Sequence, residues 1–345
     1  MDIAITPNRD LARLAFDPEL TQGAHNAINT CLRVQPSEKV TIITDDVSRE
    51  IAASLVHEIE LLGAPCNAWV LEEVERRPLT HFPAIIGECM ETSQVSIFCA
   101  QAQRNELKSR MEMTAIVNRR RMRHGHMVNI NKQIMLEGMR ADFLKVDRLS
   151  VKLIDIVRRA EKIRATTAAG TEIVADMNHN YKWIKTSGII SPEKWGNLPG
   201  GEIFTTPGEV NGIFVIDGVV GDYLCAKFGD LKHHPLTVRV KGNRLTEAHS
   251  THKELEDDFW RYTHTDENSD RVGEFAIGTN IGIKDIIGEI LQDEKFPGIH
   301  MAFGNPYGEH TGAEWYSSTH IDVVGRKFDI WADDQQIMRG GQFLI

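Results

Sequence analysis

The chain has 345 residues, a length at which two folded domains are the usual arrangement. Its 41% hydrophobic and 26% charged residues are typical of a soluble globular protein. The net charge of −10 argues against a nucleic-acid-binding role for the surface as a whole.

The cysteines and the apolar runs indicate the compartment. The five cysteines are scattered without a Cys-X-X-Cys spacing, which indicates a reducing environment and argues against a thiolate metal site. The first seven residues have no basic segment and no long apolar stretch, so we expect no signal peptide. No apolar run approaches the roughly 20 residues that a membrane span requires. We therefore expect a cytoplasmic protein that does not bind membranes.

The first half of the chain alternates predicted strands and helices, which favours a doubly wound, mostly parallel α/β sheet. The turn after the first strand contains Asp45 and Asp46 and no glycine, so it cannot cradle a phosphate as a Gly-X-Gly-X-X-Gly turn does. A scaffolding role is the better interpretation of this sheet. The predicted elements are a helix at 18–33, a strand at 39–45, a helix at 51–62, and strands at 68–71 and 95–100.

A basic cluster, Arg119–Arg123, ends the next predicted helix, which starts at Ala102. It is followed by His124 and His126. The pattern favours a solvated helix end, where cations complement the helix dipole. Two alternatives stay open: a rim that attracts a carboxylate-bearing ligand, and a metal site at the two histidines. A strongly periodic helix is predicted after it, at 147–160.

Near residue 163 the pattern changes from helices to short strands, glycines and turns. We therefore predict an α/β scaffold domain at 1–162 and an α+β domain with a mainly antiparallel sheet at 163–345. In the second domain we predict strands at 211–217 and 236–241, a hairpin turn at Gly242-Asn243, and helices at 247–261 and 283–291.

Two glutamates in the second domain lie in segments too apolar for ordinary surface carboxylates. Glu202 follows the turn Pro199-Gly200-Gly201 and starts an apolar run, and Glu274 follows Gly273 in the same way. A partly buried carboxylate needs a cation or a metal as partner. For Glu274 the simpler alternative is a salt bridge with Arg271.

Two histidines and an aspartate complete a candidate metal site. His320 and Asp322 are two residues apart, so on a strand both side chains leave the same face. His300 comes from a separate apolar run that ends at Gly304. Imidazoles and carboxylates that converge in this way are typical of divalent-metal sites.

These motifs occur in an order that resembles the thermophilic-type metallo-aminopeptidases, the aminopeptidase T and aminopeptidase S family. The resemblance is specific over about residues 165–325 and general over the N-terminal half. The motifs that carry it are Leu198–Pro207, Gly273–Asn280, His300–Gly304 with Tyr307, and His320–Asp322.

The resemblance implies a two-metal exopeptidase, usually a homodimer, that acts on small peptides or aminoacyl substrates. Five ligands, one of them bridging, give three bonds to each ion and leave room for water and substrate. Their mixed nitrogen and oxygen donors suit zinc, cobalt or manganese. The implied metal ligands are Glu202, Glu274, His300, His320 and Asp322. Tyr307 is expected at the reacting carbonyl, and Glu294, whose spacing to the histidine differs from the family's by one residue, is a second candidate catalytic residue.

A more distant resemblance is to the 2,5-dihydroxypyridine dioxygenases, which implies a single Fe(II) held by two histidines and an aspartate and a ring-cleaving reaction. Those enzymes lack a counterpart of Glu202, so its presence favours the peptidase. The first domain is shorter than in typical aminopeptidases, which leaves a non-peptidase amide hydrolase as an alternative. A non-enzymatic scaffold, in which the carboxylates only form salt bridges, is the last alternative.

Overall fold

The structure is a computed structural model that describes residues 6–345. The expectation of no signal peptide falls mainly on residues 1–5, which lie outside the described residues. The chain divides into two compact units, the first formed by residues up to 144 with 188–200 and the second by residues 145–187 and 201–345. The domain boundary near residue 163 stays a prediction. Within the described range, every helix is too short or too polar to span a bilayer.

The described residues form eighteen strands and eleven α-helices, with short 3₁₀ turns at Asp10–Arg13, Pro18–Leu20 and Gly138–Arg140 and a π-helical segment at Asn26–Cys31. The strands are β1 Val40–Thr44, β2 Cys66–Val70, β3 Val95–Cys99, β4 Arg123–His126, β5 Lys162–Thr166, β6 Glu172–Asp176, β7 Ile184–Lys185, β8 Gly196–Asn197, β9 Glu202–Thr205, β10 Glu209–Ile216, β11 Leu236–Lys241, β12 Arg244–Ser250, β13 Val272–Gly278, β14 Gly298–Gly304, β15 His320–Val324, β16 Asp329–Ala332, β17 Gln335–Arg339 and β18 Gln342–Phe343. The helices are α1 Thr21–His25, α2 Arg49–Leu61, α3 Leu71–Val74, α4 Ala84–Glu91, α5 Leu107–Arg120, α6 Lys132–Leu136, α7 Phe143–Val157, α8 Asp222–Phe228, α9 Lys253–Tyr262, α10 Ile290–Asp293 and α11 Gly308–Thr311.

A parallel sheet of strand order β2-β1-β3-β4-β8 forms the first unit and confirms the predicted doubly wound arrangement. Every residue of β1 and β3 is buried, as expected for central strands covered on both faces. Helix α2 follows β1 and ends just before Gly63, whose φ of +71° suits a residue without a side chain. The local sequence therefore determines both the strands and the end of this helix.

Strand β4 was not predicted, because Arg-His-Gly-His looks polar. His124 and His126 are nevertheless buried in the sheet, where the Ser96 hydroxyl contacts His124 Nδ1 at 2.8 Å and the two imidazoles contact each other at 3.1 Å. Burial lowers the pKa of His124 to about 3, so this imidazole is neutral. The pair is part of the core, while Arg119 and Arg120 are exposed at the end of α5.

An ion network fills the carboxyl edge of the parallel sheet between β1 and β3, where open α/β sheets usually bind ligands. The guanidinium of Arg77 lies 3.0 Å from Asp45 Oδ2 and 2.5 Å from Glu106 Oε2, and all three side chains are at most 3% exposed. The backbone N–H of Gln101 also donates to Asp45 at 2.6 Å. This network supports the scaffolding interpretation of the sheet.

Replacing Arg77 by methionine should destabilise the protein by about 3–5 kcal/mol, because Asp45 and Glu106 would stay buried without their cation. Urea unfolding measures this loss of free energy. Arg119→Met is the control, since Arg119 pairs with Glu91 at the surface and such pairs contribute about 0–1 kcal/mol. Equal effects of the two substitutions would contradict the proposed role of the network.

Two antiparallel sheets form the second unit, as predicted for an α+β domain. Their strand orders are β12-β11-β10-β6-β5-β16-β17-β18 and β15-β14-β13-β9-β7. Side chains of both sheets, among them Phe214 and Ile330 from the first and Phe275 and Phe303 from the second, belong to one buried cluster. The two sheets therefore share a core, and each has a second face directed away from it.

Two helix predictions in this unit were partly wrong. The predicted helix at 247–261 begins only at Lys253, because Glu247–Ser250 pair with β11 as the end of β12. The predicted helix at 283–291 is mainly irregular and includes only the start of α10. There the carboxylate of Asp293 accepts the N–H groups of residues 287–289, and these bonds replace helical ones.

Candidate metal centre

The predicted metal ligands lie on four neighbouring strands of the sheet β15-β14-β13-β9-β7, on the face opposite to the shared core. Successive side chains of a strand point to opposite faces, so each strand contributes both to the core and to this second face. The residues on the core face are Ile203, Phe275, Ile277, Ile299, Met301, Phe303, Ile321 and Val323. The residues on the opposite face include Glu202, Glu274, His300, His320 and Asp322.

The strand register brings these side chains level with one another. Ala302 on β14 pairs with Glu274 on β13 and with Asp322 on β15, so a small side chain lies between two carboxylates. Ala276 lies in the same way between His300 and Phe204. Because the alanine methyl groups fill little space, the longer side chains on either side can converge above them.

The five residues form two groups that share Glu274. In the Glu202 group (Glu202, Glu274 and His300), Nε2 of His300 lies 3.3 Å from Glu202 Oε2 and 3.4 Å from Glu274 Oε1. In the Asp322 group (Glu274, His320 and Asp322), Nε2 of His320 lies 3.4 Å from Asp322 Oδ1 and 3.8 Å from Glu274 Oε2. Within each group the potential ligand atoms all lie within 4.8 Å of one another.

These residues fit divalent cations. Nε2 of His300 is buried and lies 3.3 Å from Glu202 Oε2 and 3.4 Å from Glu274 Oε1, without hydrogen-bond geometry to any of the described residues, although a buried polar atom normally has such a bond. The Nδ1–H of His320 donates to the carbonyl of Asn305 at 2.9 Å, which leaves Nε2 directed at the carboxylates, as second-shell bonds do for metal-binding histidines. Three carboxylates and two imidazoles are donors that zinc, cobalt and manganese accept.

The carboxylates of the pocket favour positive charge on the two histidines. Burial opposes the imidazolium form of His300, but Glu202 and Glu274 outweigh burial and raise its pKa to about 10. Burial likewise opposes the charge on His320, and Asp322 with Glu274 raises its pKa to about 10. The carboxylates of the pocket therefore favour positive charge, which is what a site for divalent cations requires.

A buried lysine, which the sequence analysis missed, also contacts the centre. Lys295 is 1% exposed, and its Nζ lies 3.1 Å from Glu202 Oε1 and in contact with Glu294 Oε1. Thr186 donates to the same oxygen of Glu202 at 2.7 Å. A lysine beside two acidic residues looks like a surface residue, and its sequence signal is that it lies three residues before the buried strand β14.

Glu294 and its neighbour Asp293 have different surroundings. Burial raises the pKa of Glu294 to about 8, although Lys295 opposes this effect, and the nearby carboxylates of Asp322 and Glu202 add to it. Asp293 is used by the loop before α10 and is not part of the centre. Only Glu294 of this acidic pair is therefore placed to take part in chemistry.

Tyr307 lies beside the Asp322 group. Its ring centroid is 4.5 Å from that of His320 and 6.3 Å from that of Phe204. Burial and the charge of Asp322 raise the pKa of its phenol well above the usual value, so the hydroxyl keeps its proton.

The salt bridge considered for Glu274 is not formed. The guanidinium carbon of Arg271 lies 4.3 Å from the ring centroid of Trp315, and Arg271 forms no ion pair with Glu274 in the described part of the chain.

The structure thus brings together all the residues that the sequence analysis proposed for the centre. The metal-binding role of the five residues and the catalytic roles of Glu294 and Tyr307 stay predictions. Lys295, Thr186 and Asn305 are the contacts that sequence reasoning did not find.

Solved structures with a similar fold include two that match this chain over almost its whole length. Wild-type AmpT from Thermus thermophilus has a TM-score of 0.69 at 16% identity, with 96% of this chain and 100% of that chain covered. The 2,5-dihydroxypyridine dioxygenase from Pseudomonas putida KT2440 has a TM-score of 0.67 at 16% identity, with 94% and 96% covered. At this identity the similarity establishes the fold alone.

The comparison of sequences identifies the family, which the structural similarity does not. Curated protein sequences give no significant match. The sequence profile of the family described as thermophilic metalloprotease (M29) matches residues 152–343, which is more than half of the chain and includes every residue of the centre. The chain therefore belongs to the thermophilic metalloprotease (M29) family and is an enzyme of the hydrolase class.

Proposed function

We propose that the protein is an aminopeptidase that removes the N-terminal residue of small peptides with the help of two divalent cations. The observation that carries the proposal is the sharing of Glu274, one carboxylate oxygen of which faces His300 and the other His320. This arrangement offers two adjacent positions for cations. Family membership supports metal-dependent peptide hydrolysis, and the removal of N-terminal residues rests on the resemblance of the motifs.

The Glu202 group would hold one cation and the Asp322 group the other. Cations bound there would lower the pKa of a water molecule from about 15.7 towards 7 and polarise the scissile carbonyl. The three ligand carboxylates offset most of the charge of two divalent ions. Zinc, cobalt and manganese all suit the donor set.

Two other residues supply proton donors and acceptors. The phenol of Tyr307 keeps its proton and donates a hydrogen bond to the oxygen on which negative charge develops. Cations bound nearby would favour the ionised form of Glu294, which would accept the proton of the attacking water and return it to the leaving amine. A homodimer and a cytoplasmic location complete the proposal, as the resemblance and the composition imply.

The contacts within the centre favour this reaction over ring cleavage by a single iron. A dioxygenase of the kind considered above would use His300, His320 and Asp322 as its iron ligands. In the structure His300 instead faces Glu202 and Glu274, and His320 and Asp322 form a separate group with Glu274. An amide hydrolase with a non-peptide substrate would use the same centre and differ only in specificity.

A pair of chromogenic substrates tests the proposal. The protein should cleave leucine p-nitroanilide and leave its N-acetylated form intact. Exhaustive chelation should abolish cleavage, and zinc, cobalt or manganese should restore it. Full cleavage by the chelated protein, or oxygen consumption with 2,5-dihydroxypyridine and no cleavage of either anilide, would refute the proposal.

A further inference from the structure

A fully buried ammonium group distinguishes the two parts of the metal centre. Lys295 is 1% exposed and contacts the carboxylates of Glu202 and Glu294. In the described chain, neither Glu274 nor Asp322 forms an ion pair with a lysine or arginine. One of the two cation positions therefore has a competing positive charge bound to its own carboxylate, and the other does not.

We propose that Lys295 makes the Glu202 group the weaker of the two cation positions, so that the Asp322 group fills first and the Glu202 group fills second. The inference rests on the proposed two-cation function. It assigns Lys295 a positioning role, because the ammonium acts through Glu202 and its effect on a cation.

Lys295 affects cation affinity in two ways, by repelling a bound cation and by orienting the ligand Glu202. We expect the repulsion to have the larger effect. Charges about 4 Å apart interact appreciably even at an effective dielectric constant of about 20, and a divalent ion doubles the effect. The orientation of Glu202 does not depend on the lysine alone, because Thr186 donates to the same oxygen at 2.7 Å. Removing the ammonium should therefore free a ligand without releasing the side chain that carries it.

The direction in which cation affinity changes distinguishes the proposed role of Lys295 from a purely structural one. A substitution that merely damages the centre would weaken cation binding. Removal of a competing cation should strengthen binding, and mainly in the Glu202 group, because Lys295 contacts Glu202 and acts on Asp322 only from a longer distance. In the metal-free protein the same change leaves Glu202 and Glu294 buried without their ammonium, which is destabilising. Added metal should then raise Tm more in the variant than in wild type, by linkage.

Cobalt titration of metal-free protein tests the inference, with visible absorption to count bound ions and a competing chelator to set the free concentration. Wild type should bind two ions in two phases. In Lys295→Met the second ion should bind at least about tenfold more tightly, a change of about 1.4 kcal/mol, and the affinity for the first ion should change less. Lys295→Arg, which keeps the charge, should behave as wild type. Lys227→Met is the matched control, because Lys227 also contacts two carboxylates, Glu254 and Asp258, in the same unit.

A second pair of variants tests the order of filling with Lys295 in place, should Lys295→Met fail to fold without metal. Glu202→Gln should remove the weak phase and keep the tight one, and His320→Gln should do the reverse. The opposite assignment, or a second ion that binds Lys295→Met no more tightly than wild type, would overturn the inference. If wild type cleaves the aminoacyl substrate but binds two ions equally, only the inference fails. If it binds fewer than two ions, the proposed function fails.

Discussion

Replacing Glu274 by glutamine is expected to abolish metal binding and activity together. Glu274 belongs to both groups of the centre, so the loss of its charge leaves each position with one carboxylate and one imidazole as full-strength ligands. We expect metal content to fall from about two ions per chain to nearly none, and kcat/KM to fall by at least about 10⁴-fold, because the cations supply both the activated water and the polarised carbonyl.

Elemental analysis and cleavage of leucine p-nitroanilide measure the two losses. Glu209→Gln is the control, since Glu209 is exposed on β10 and should change neither quantity. Glu202→Gln provides a sharper comparison, because it affects one group and should remove only one ion. Retention of both ions by Glu274→Gln would contradict the shared position of this carboxylate.

Replacing Tyr307 by phenylalanine should separate catalysis from metal binding. The phenol is outside both groups of potential ligands, so the metal content should stay unchanged. Loss of its hydrogen bond to the developing oxyanion should lower kcat by about 10²–10³-fold, with little change in KM, because the bond is made chiefly in the transition state.

Steady-state kinetics at saturating metal checks the Tyr307 prediction. Tyr316→Phe serves as the control, because Tyr316 lies in the loop before His320 and is 70% exposed. A kcat within about twofold of wild type would remove Tyr307 from the reaction, and loss of metal would show that it stabilises the centre instead.

The regular parts of the fold were predictable because they depend on local patterns. The continuous apolar runs of β1 and β3 and the apolar spacing of α2 follow from burial on one or both faces. Strand β4 was not predictable, because its histidines are satisfied by Ser96 and by each other, and a single sequence does not show these partners. The loop before α10 was missed because the carboxylate of Asp293 overrides a helical pattern.

The composition of the centre was accessible from the sequence, but its internal contacts were not. His320 and Asp322 share a face because strand side chains alternate, and apolar surroundings indicated that Glu202 and Glu274 need partners. The division into two groups depends on the strand register, which brings His300 near one carboxylate oxygen of Glu274 and His320 near the other. The contact of Lys295 with Glu202 arises because the segment before β14 approaches β9, and apart from the nearby buried strand the local sequence does not distinguish Lys295 from a surface lysine.

The positions of cations in crystals grown with zinc test the central claim most directly. Anomalous diffraction at the zinc edge should show two peaks. One is expected among Glu202, Glu274 and His300, and the other among Glu274, His320 and Asp322. A single peak bound by His300, His320 and Asp322, with Glu202 directed only at Lys295, would contradict the two-cation account.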